Sequence, residues 1–334
     1  MKKVLLIRLD KIGDLISTMC VDQAQFLQGA EVHWAIATGL AFIPEMAEPR
    51  RTYLELSKND WKESLKKFRL YLKEFKPDVA VSFQAPWWVS YALWLERVPV
   101  RAGVQSQWHS FLFLNRGLRQ RRSLAVQHEA EYNLDLLKLA MGVKSSEKAP
   151  VLKLAAPEDT GLLEQHQLKA REYLVVHPGM AGSALNWPTE KYIEFIEKAL
   201  LLNKIVLTGT ANDEAWLTKI KTTFKDQPQV LNLQSQLTTP QLFTILKNAR
   251  AVIVPSTGVA HMAASLGTPV LAIYSPVRVQ HPRRWAARGK DVQIFLPEVP
   301  CPATFRCLGD KCIYYNCMNR ISTEQVLMAL PPLR

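Results

Sequence analysis

The sequence predicts an α/β protein with two doubly wound, Rossmann-like domains that face a central cleft. Its 334 residues are long for one compact core and suit two domains of about 150 residues each. Strand-like and helix-like segments alternate along both halves, as they do in βαβ units. Most strand-like segments are continuous apolar runs, which are typical of parallel strands buried on both faces.

The first half begins with the apolar run Lys3–Leu9, which predicts a buried strand. The loop after it carries Asp10, Gly13 and Asp14, and helical spacing continues from there to Gln28. Further strand and helix candidates follow at Glu31–Ala37, Asp60–Phe75, Asp78–Phe83 and Trp88–Glu96. This order predicts parallel strands joined by crossover helices.

The second half repeats the pattern after a polar stretch between residues 144 and 159. Its predicted strands are Tyr173–Val176, Lys204–Leu207, Val230–Leu233, Ala251–Val254 and Val270–Tyr274, with helical segments between them. The polar stretch predicts a boundary between a domain of residues 1–155 and a domain of residues 156–334. In doubly wound sheets, ligands bind where the carboxyl ends of the strands meet.

The composition is that of a soluble globular protein, with 48% hydrophobic and 22% charged residues. No apolar run approaches the roughly 18 residues of a membrane-spanning helix or the core of a signal peptide, so we expect a cytoplasmic protein. The formal net charge of +12 predicts an anionic partner. Because the charge is spread over both halves and no nucleic-acid-binding motif is present, the expected partners are phosphorylated small molecules and an acidic membrane surface.

The segment from Val254 to His261 is a predicted strand end, a small-residue loop and the start of an apolar helix. Neither a G-x-G-x-x-G fingerprint nor a P-loop occurs in the sequence. Free N–H groups at Ser256, Thr257 and Gly258, with the positive end of the helix dipole, are suited to bind a diphosphate instead. The alternatives are that Ser256 and Thr257 only cap the helix and that His261 only packs.

Two more loops follow predicted strands in the same half. The loop from His177 to Ser183 includes Gly179, a residue type that permits close approach of the backbone to a ligand. In the loop from Thr208 to Glu214, the Glu214 carboxylate is a candidate acceptor for ribose hydroxyls. Taken alone, the first loop reads as a turn and Glu214 as a solvated acid at a helix start. Together the loops predict one ligand crevice, since strand ends of a doubly wound sheet converge.

These residues, taken in order, resemble glycosyltransferase family 9, the lipopolysaccharide heptosyltransferase family. The resemblance covers nearly the whole chain. It is carried by Lys3–Asp14, His177-Pro178-Gly179, Asn186-Trp187-Pro188, Ser256-Thr257-Gly258 with His261, and the cysteines from Cys301 to Cys317.

The resemblance implies a GT-B fold, with the acceptor bound by the first domain and the nucleotide sugar by the second. It implies an inverting transfer without metal or other cofactor, in which Asp14 deprotonates the acceptor hydroxyl. The implied donor is a nucleotide diphosphate sugar, with ADP-heptose the first candidate. The implied acceptor is the lipopolysaccharide core or another anionic, lipid-linked or phosphorylated glycan. The donor-binding candidates are Gly179, Ser183, Glu214, Leu237, Ser256, Thr257, Gly258 and His261, and the acceptor-binding candidates are Gly13, Arg119 and Arg122.

Two departures from the family pattern concern the donor. Leu185 stands where the family often has a Lys or Arg that pairs with donor phosphate, and Ser256 replaces the aspartate of the heptosyltransferase D-T-G. Both leave the identity of the donor sugar open. Five cations without an intervening acid are candidates to supply the missing charge, with a solvated loop as the alternative: Arg278, Arg283, Arg284, Arg288 and Lys290.

Four arginines lie within seven residues in the first half, at positions 116, 119, 121 and 122. Such a cluster is suited to acceptor phosphates or anionic lipid. A plain solvated surface is the alternative. Together with the net charge, the arginine cluster predicts a peripheral position at the inner face of the inner membrane.

Four of the five cysteines are concentrated at Cys301, Cys307, Cys312 and Cys317, separated by five, four and four residues. The spacing contains no C-x-x-C knuckle, so reduced structural thiols are expected and no metal is assigned. Zinc or an iron–sulfur cluster is the alternative, because thiolate ligands also come from irregular loops.

Two other functions compete with glycosyl transfer. A binding protein for nucleotide sugars or phosphoglycans on the same scaffold would need no carboxylate at Asp14. A nicotinamide-dependent dehydrogenase would be expected to carry the glycine fingerprint that the sequence lacks.

Overall fold

A computed structural model describes residues 1–159, 161–180, 182 and 184–333. The chain divides into two compact units. The first consists of residues 1–122 and 127–152, and the second of residues 123–126 and 153–334. Over the described residues each unit contains one six-stranded sheet, and every strand pair in both sheets is parallel. The predicted α/β class with two Rossmann-like domains is therefore confirmed.

The sheet of the first unit has the order β3-β2-β1-β4-β5-β6. Its strands are β1 (Lys3–Arg8), β2 (Glu31–Ala37), β3 (Thr52–Leu56), β4 (Val79–Gln84), β5 (Val100–Val104) and β6 (Arg116–Leu118). The winding reverses between β1 and β4, which makes the loops after these two strands the ligand-binding position of a doubly wound sheet. Asp14 follows β1 and therefore lies at this position.

The helices of the first unit are α1 (Ile12–Met19), α2 (Phe42–Met46), α3 (Trp61–Phe75), α4 (Trp87–Leu95), α5 (Trp108–Phe113) and α6 (Glu129–Met141). The helical spacing predicted up to Gln28 is wrong beyond Met19, because two short 3₁₀ turns replace the helix there. The Asp22 carboxylate in the first turn accepts hydrogen bonds from Trp34 Nε1 and from the Arg51 guanidinium. These contacts fasten the segment to β2 and to the start of β3.

The sheet of the second unit has the order β12-β11-β10-β7-β8-β9. Its strands are β7 (Tyr173–Val176), β8 (Lys204–Leu207), β9 (Val230–Asn232), β10 (Ala251–Pro255), β11 (Val270–Ile273) and β12 (Val292–Phe295). The winding reverses between β7 and β10. The loops that begin at His177 and at Ser256 therefore lie at the switch point of this sheet.

The helices of the second unit are α7 (Leu162–Gln165), α8 (Thr189–Ala199), α9 (Glu214–Thr223), α10 (Thr239–Asn248), α11 (Gly258–Ser265), α12 (Pro282–Trp285) and α13 (Thr323–Met328). They pack on the sheet around fully buried aromatic side chains, including Trp187, Tyr192 and Phe195. In the first unit Phe68, Trp88 and the apolar residues of β1 fill the equivalent core. Among the described residues, no helix combines the length and the hydropathy needed to cross a membrane.

Candidate active site

The loop after β1 contains a buried arginine surrounded by three carboxylates. Arg8, the last residue of β1, has only 3% of its side chain exposed. Its guanidinium lies 2.7 Å from Asp14 Oδ1, 3.1 Å from Asp10 Oδ2 and 3.2 Å from Glu129 Oε1. Glu129, the first residue of α6, is completely buried. A buried guanidinium requires such partners, because an unpaired charge in the interior is very costly.

Asp14 is the third residue of α1, and 23% of its side chain is exposed. The N-cap position belongs to Lys11, so the Asp14 side chain contacts Arg8 and does not cap the helix. Burial raises the pKa of the Asp14 carboxyl, and the negative charges of Asp10 and Glu129 raise it as well. Arg8 opposes these effects, but the resulting pKa stays above the ordinary value for aspartate. A carboxylate with a raised pKa is a better proton acceptor than an ordinary surface aspartate.

The three acceptor-binding candidates of the sequence lie in the same unit. Gly13 is the residue before Asp14 in α1, and Arg119 is exposed just after β6. Arg122 donates to Glu129 Oε1 at 2.5 Å and to Gln120 Oε1 at 2.6 Å, so its guanidinium already has partners within the fold. Arg116 likewise donates to the Ala140 carbonyl at 2.7 Å. Two of the four clustered arginines therefore stabilise the end and the beginning of α6.

The second unit has a polar loop at its switch point, between β10 and α11. Thr257 occupies the N-cap position of α11, yet its side chain does not cap the helix. Its Oγ1 is buried and has no hydrogen-bond partner within the described part of the chain. Because buried hydroxyls are nearly always paired, this atom points to a ligand at the helix N-terminus. Ser256 and Gly258 flank it and are half-buried, and His261 is buried one turn into α11.

The loops after β7 and β8 touch each other. His177 Nδ1 lies 3.1 Å from Thr208 Oγ1, and burial lowers the pKa of His177 to about 4, so the ring is neutral at pH 7. A Cβ on Gly179 would lie 2.2 Å from Asp213 Cγ, a clash that only glycine avoids. Asp213 accepts from the Thr210 N–H and hydroxyl at 2.8 Å each. The loops after β7 and β8 therefore meet, whereas their convergence with the loop after β10 remains a prediction.

Glu214 begins α9, and 54% of its side chain is exposed. It accepts hydrogen bonds from Lys221, Thr218 and Gln234, and these contacts, that of Lys221 above all, lower its pKa to about 2. Leu237 is half-buried in the loop before α10, which meets the loop after β8 through the Ser235 N–H and the Gly209 carbonyl. Ser183 lies outside the described residues. The ligand contacts of these three residues remain predictions.

Leu185 and the five downstream cations complete the surroundings of this region. Leu185 packs against the hydrophobic core, and its N–H donates to Gln280 Oε1 at 3.4 Å. The Arg284 guanidinium lies over the Trp285 ring, 4.5 Å from its centroid. Arg278, Arg283 and Lys290 are exposed and Arg288 is half-buried. The predicted role of these cations toward phosphate remains a prediction.

Three residues of the candidate site were not predicted from the sequence. Arg8 ends a buried apolar strand. Because a buried charge needs partners, this position indicates that carboxylates surround it. Glu129 is one such carboxylate, but it lies 121 residues away along the chain and no local pattern connects the two. Asp213, next to the predicted Glu214, fits the capping pattern Thr210-x-x-Asp213 and contacts the glycine loop instead of solvent.

The cysteine segment lies at one wall of a cavity of about 320 Å³ in the second unit. Cys301, Cys307, Cys312 and Cys317 all line this cavity, and none of the five cysteines of the chain forms a disulfide. Burial raises the pKa of the Cys317 thiol, and charge on the other three cysteines raises it further. Within the described residues, no group of three or more Cys, His, Asp or Glu side chains is gathered tightly enough to hold a single metal ion.

Comparison with known proteins gives one consistent family. The model of glycosyltransferase family 9 (heptosyltransferase) matches residues 66–310. Lipopolysaccharide heptosyltransferase 1 of Pseudomonas aeruginosa is 24% identical over 336 residues, which cover 93% of this chain and 88% of that protein.

Two solved structures share the fold along almost the whole chain. The family 9 glycosyl transferase of Veillonella parvula has a TM-score of 0.78 at 18% identity, covering 98% of this chain and 95% of that one. E. coli ADP-heptose lps heptosyltransferase II has a TM-score of 0.75 at 16% identity, covering 99% and 97%. These matches confirm the GT-B fold. They do not support the alternative of a nicotinamide-dependent dehydrogenase. The chain belongs to glycosyltransferase family 9, the heptosyltransferase family, and is a glycosyltransferase.

Proposed function

We propose that this enzyme transfers heptose from ADP-heptose to a lipopolysaccharide core acceptor, with inversion at the anomeric carbon. Membership of the heptosyltransferase family supports the reaction class. The names of two similar proteins, a lipopolysaccharide heptosyltransferase and an ADP-heptose heptosyltransferase, support the donor and the acceptor. The observation that carries the donor site is the buried hydroxyl of Thr257 at the N-terminus of α11, which has no hydrogen-bond partner among the described residues.

The donor diphosphate binds at this helix N-terminus. The first N–H groups of α11 have no partners within the helix, and the helix dipole adds partial positive charge. Thr257 Oγ1 donates to a phosphate oxygen, which gives the buried hydroxyl the partner that the described residues do not provide. Gly258 lets the phosphate approach the backbone closely. When the bond between the sugar and the diphosphate breaks, the same groups stabilise the negative charge that develops on ADP, the leaving group.

Asp14 is the general base of the transfer. As the acceptor hydroxyl oxygen bonds to the anomeric carbon, its proton passes to the Asp14 carboxylate and the bond to the donor phosphate breaks. Arg8 fixes Oδ1 of Asp14 at 2.7 Å, so the carboxyl group is held in one orientation before the acceptor arrives. The raised pKa of Asp14 strengthens it as a base at neutral pH.

The remaining candidates contact the outer parts of the two substrates. Glu214 accepts from the ribose hydroxyls of the donor, and the backbone near Leu237 faces the base. Gly179 and Ser183 border the diphosphate. Gly13 and the exposed Arg119 contact the acceptor, whereas Arg122 acts through Glu129, which its guanidinium holds at 2.5 Å.

The enzyme acts peripherally at the inner face of the inner membrane, through an aromatic surface on the first unit. This surface consists of Trp61, Trp87, Tyr91, Trp94, Trp108, Phe111 and Phe113. Neighbouring rings lie 5.5–6.3 Å apart, as between Tyr91 and Phe113 and between Trp108 and Phe113. Trp94, Trp108 and Phe111 have 47%, 61% and 61% of their surface exposed. Large aromatic side chains favour the boundary between lipid and water, and the +12 net charge favours anionic lipid.

A nucleotide panel followed by a transfer assay tests the proposal. ADP at 100 times its Kd is expected to add roughly 2.7 kcal/mol to the free energy of unfolding, with little effect from UDP or GDP at the same concentration. ADP-heptose with a core acceptor is then expected to yield ADP and an acceptor heavier by one heptose. Binding of ADP-heptose without any product, over a set of core acceptors, would favour a binding protein on the same scaffold.

A further inference from the structure

We propose that a polar pocket in the first unit binds an uncharged hydroxyl group of the acceptor glycan, at the same edge of the sheet as Asp14. Gln84, Ser90, Gln107 and His109 contribute polar groups to its lining. The inference rests on the glycosyl transfer proposed above. It adds a site for a neutral part of the acceptor, separate from the arginines considered for its phosphates.

The pocket lies at the switch point of the first sheet. Gln84 ends β4, Val104 ends β5, and both residues line the pocket. Gln84 pairs with Arg8 in the sheet, and its carbonyl accepts from the Leu9 N–H at 3.2 Å. Arg8 in turn donates to Asp14 Oδ1 at 2.7 Å. The pocket and the proposed base therefore lie at the carboxyl ends of neighbouring strands, where doubly wound sheets bind their ligands.

The lining offers hydrogen bonds but no charge. Among the described residues it contains no Asp, Glu, Lys or Arg. Burial lowers the pKa of His109, so this ring is neutral at pH 7. The other polar groups are hydroxyls and carboxamides, from Ser82, Ser90, Ser106, Ser110, Gln84 and Gln107. A phosphate or carboxylate would meet no cation in this pocket, whereas a sugar hydroxyl both donates and accepts hydrogen bonds and suits the lining.

Contacts within the pocket hold Gln107 in place before the acceptor arrives. Its side-chain oxygen lies 2.6 Å from His109 Nε2, and because an amide oxygen only accepts, Nε2 carries the proton and donates it. His109 Nδ1 then accepts from the Ser90 hydroxyl at 3.3 Å. The backbone carbonyl of Gln107 also accepts from Ser110 Oγ at 2.5 Å. The Gln107 carboxamide therefore keeps its N–H donors for a sugar oxygen and loses little conformational freedom on binding.

The size of the pocket limits what enters it. Its volume is about 20 Å³, which admits a group as large as one water molecule and excludes a sugar ring. One hydroxyl group of the acceptor therefore enters, while the ring stays outside. Trp108 of the aromatic surface directly follows Gln107, and its ring lies 5.8 Å from the ring of His109. A glycan bound at the pocket is thus beside the surface proposed to face the membrane, as a lipid-linked acceptor requires.

Acceptor binding by Gln107→Leu and by its control Gln28→Leu tests the proposal. Gln28 is also exposed and lies in the first unit, but it precedes β2 and so lies at the opposite end of the sheet from the pocket. The full-length proteins are titrated calorimetrically with a lipid-free core oligosaccharide in the presence of ADP. We expect Gln107→Leu to weaken acceptor binding by about 3- to 10-fold, the effect of one neutral hydrogen bond. Gln28→Leu should bind the acceptor as the wild type does, and ADP affinity should be unchanged in both.

A set of acceptors that each lack one hydroxyl identifies the group that enters the pocket. One of these deoxy acceptors should bind the wild type about as weakly as the full acceptor binds Gln107→Leu. Combining that acceptor with Gln107→Leu should cause little further loss, because the same contact is removed twice. Gln84→Leu, at a second exposed residue of the pocket, should also weaken acceptor binding. It decides the test alone if thermal unfolding shows that Gln107→Leu does not fold.

Two results would overturn the assignment. Wild-type acceptor affinity in the folded pocket variants would mean that the pocket holds only water. Losses that add fully for every deoxy acceptor would mean that the variants act through the fold. Failure of the proposed transfer looks different, since a wild type that binds the acceptor at the pocket but forms no product contradicts the reaction and not the pocket. A wild type that binds no core oligosaccharide would overturn this inference together with the proposed acceptor.

Discussion

Arg8 donates a 2.7 Å hydrogen bond to Asp14 Oδ1 from a position where only 3% of its side chain is exposed. The arginine is held in turn by the fully buried Glu129, at 3.2 Å. The orientation of the proposed base therefore depends on α6, more than a hundred residues further along the chain. Two roles follow from this chain of contacts: in the proposed mechanism Asp14 accepts the proton, while Glu129 supports the fold.

Glu129→Gln is expected to lower the free energy of unfolding by about 3–5 kcal/mol. The substitution leaves Arg8 and Arg122 facing a neutral group in the interior, and breaking a buried ion pair is costly. Urea unfolding of the wild type and the variant measures the difference. Glu63→Gln is the control, because Glu63 pairs with Lys66 on the surface at 3.4 Å and should lose less than about 1 kcal/mol. Equal stabilities of the two variants would contradict the buried network.

The pH profile of kcat/KM is expected to show an acidic limb above pH about 4, the ordinary aspartate pKa. Asp14 must be deprotonated to act as a base, so activity rises with pH through its pKa. Burial raises that pKa, which moves the limb upward. The measurement is the rate of glycosyl transfer across pH 4–9, first at saturating donor and acceptor and then at limiting acceptor. A rate independent of pH over this range would contradict the proposed environment of Asp14.

Thr257→Val should weaken ADP binding by at least about tenfold and leave the stability of the free protein nearly unchanged. The hydroxyl has no protein partner to lose in the described residues, whereas a hydrogen bond to a charged phosphate is worth about 1.5–3 kcal/mol. Thr238→Val is the matched control.

The Thr238 hydroxyl does cap α10, accepting from the Gln241 N–H. Its loss should cost about 1 kcal/mol of stability and leave ADP affinity unchanged. Calorimetric titration with ADP and thermal unfolding distinguish the two variants. If Thr257→Val loses stability but binds ADP as the wild type does, the hydroxyl belongs to the fold and not to the donor site.

Replacing Trp108 and Phe111 together by serine should reduce binding to anionic liposomes by about tenfold or more. Burying one such aromatic ring in the lipid boundary is worth up to about 1.5–3 kcal/mol. Both side chains are 61% exposed, so the fold should tolerate the change.

Leu201→Ser with Leu202→Ser is the control, because these leucines are 83% and 70% exposed in the second unit. Sedimentation with liposomes of increasing anionic lipid content measures the binding. Equal loss in both double variants, or no dependence on anionic lipid, would mean that the aromatic surface does not face a membrane.

The central strands could be predicted from the sequence because burial on both faces leaves a continuous apolar run. Glu31–Ala37, Tyr173–Val176 and Lys204–Leu207 are strands with the predicted bounds. The edge strands β3, β6 and β12 and the inner strand β5 were missed. They have three to five residues and are only partly buried, so their polar side chains break the run that identifies a buried strand.

The candidate site could be predicted only where its residues are local in the sequence. The segment from Ser256 to His261 lies between a strand and the start of a helix, as predicted, and the structure puts it at the switch point of its sheet. The contact between Arg8 and Glu129 and the clash that keeps position 179 a glycine depend on residues far apart in the chain. The role predicted for Arg122 did not take its contact with Glu129 into account. In the sequence Glu129 reads only as an acid in the first turn of a helix.

The transfer rate of Asp14→Asn tests the central claim most directly. Asparagine keeps the size of the side chain and an oxygen for Arg8 but removes the base. Asp10→Asn is the control, because Asp10 also contacts Arg8, at 3.1 Å, without a proposed role in proton transfer. With ADP-heptose and a core acceptor, we expect Asp14→Asn to lose at least about 100-fold in rate, equivalent to about 2.7 kcal/mol, while ADP affinity and Tm stay close to the wild type and Asp10→Asn stays within a few-fold. Wild-type turnover in Asp14→Asn would contradict its role as the base.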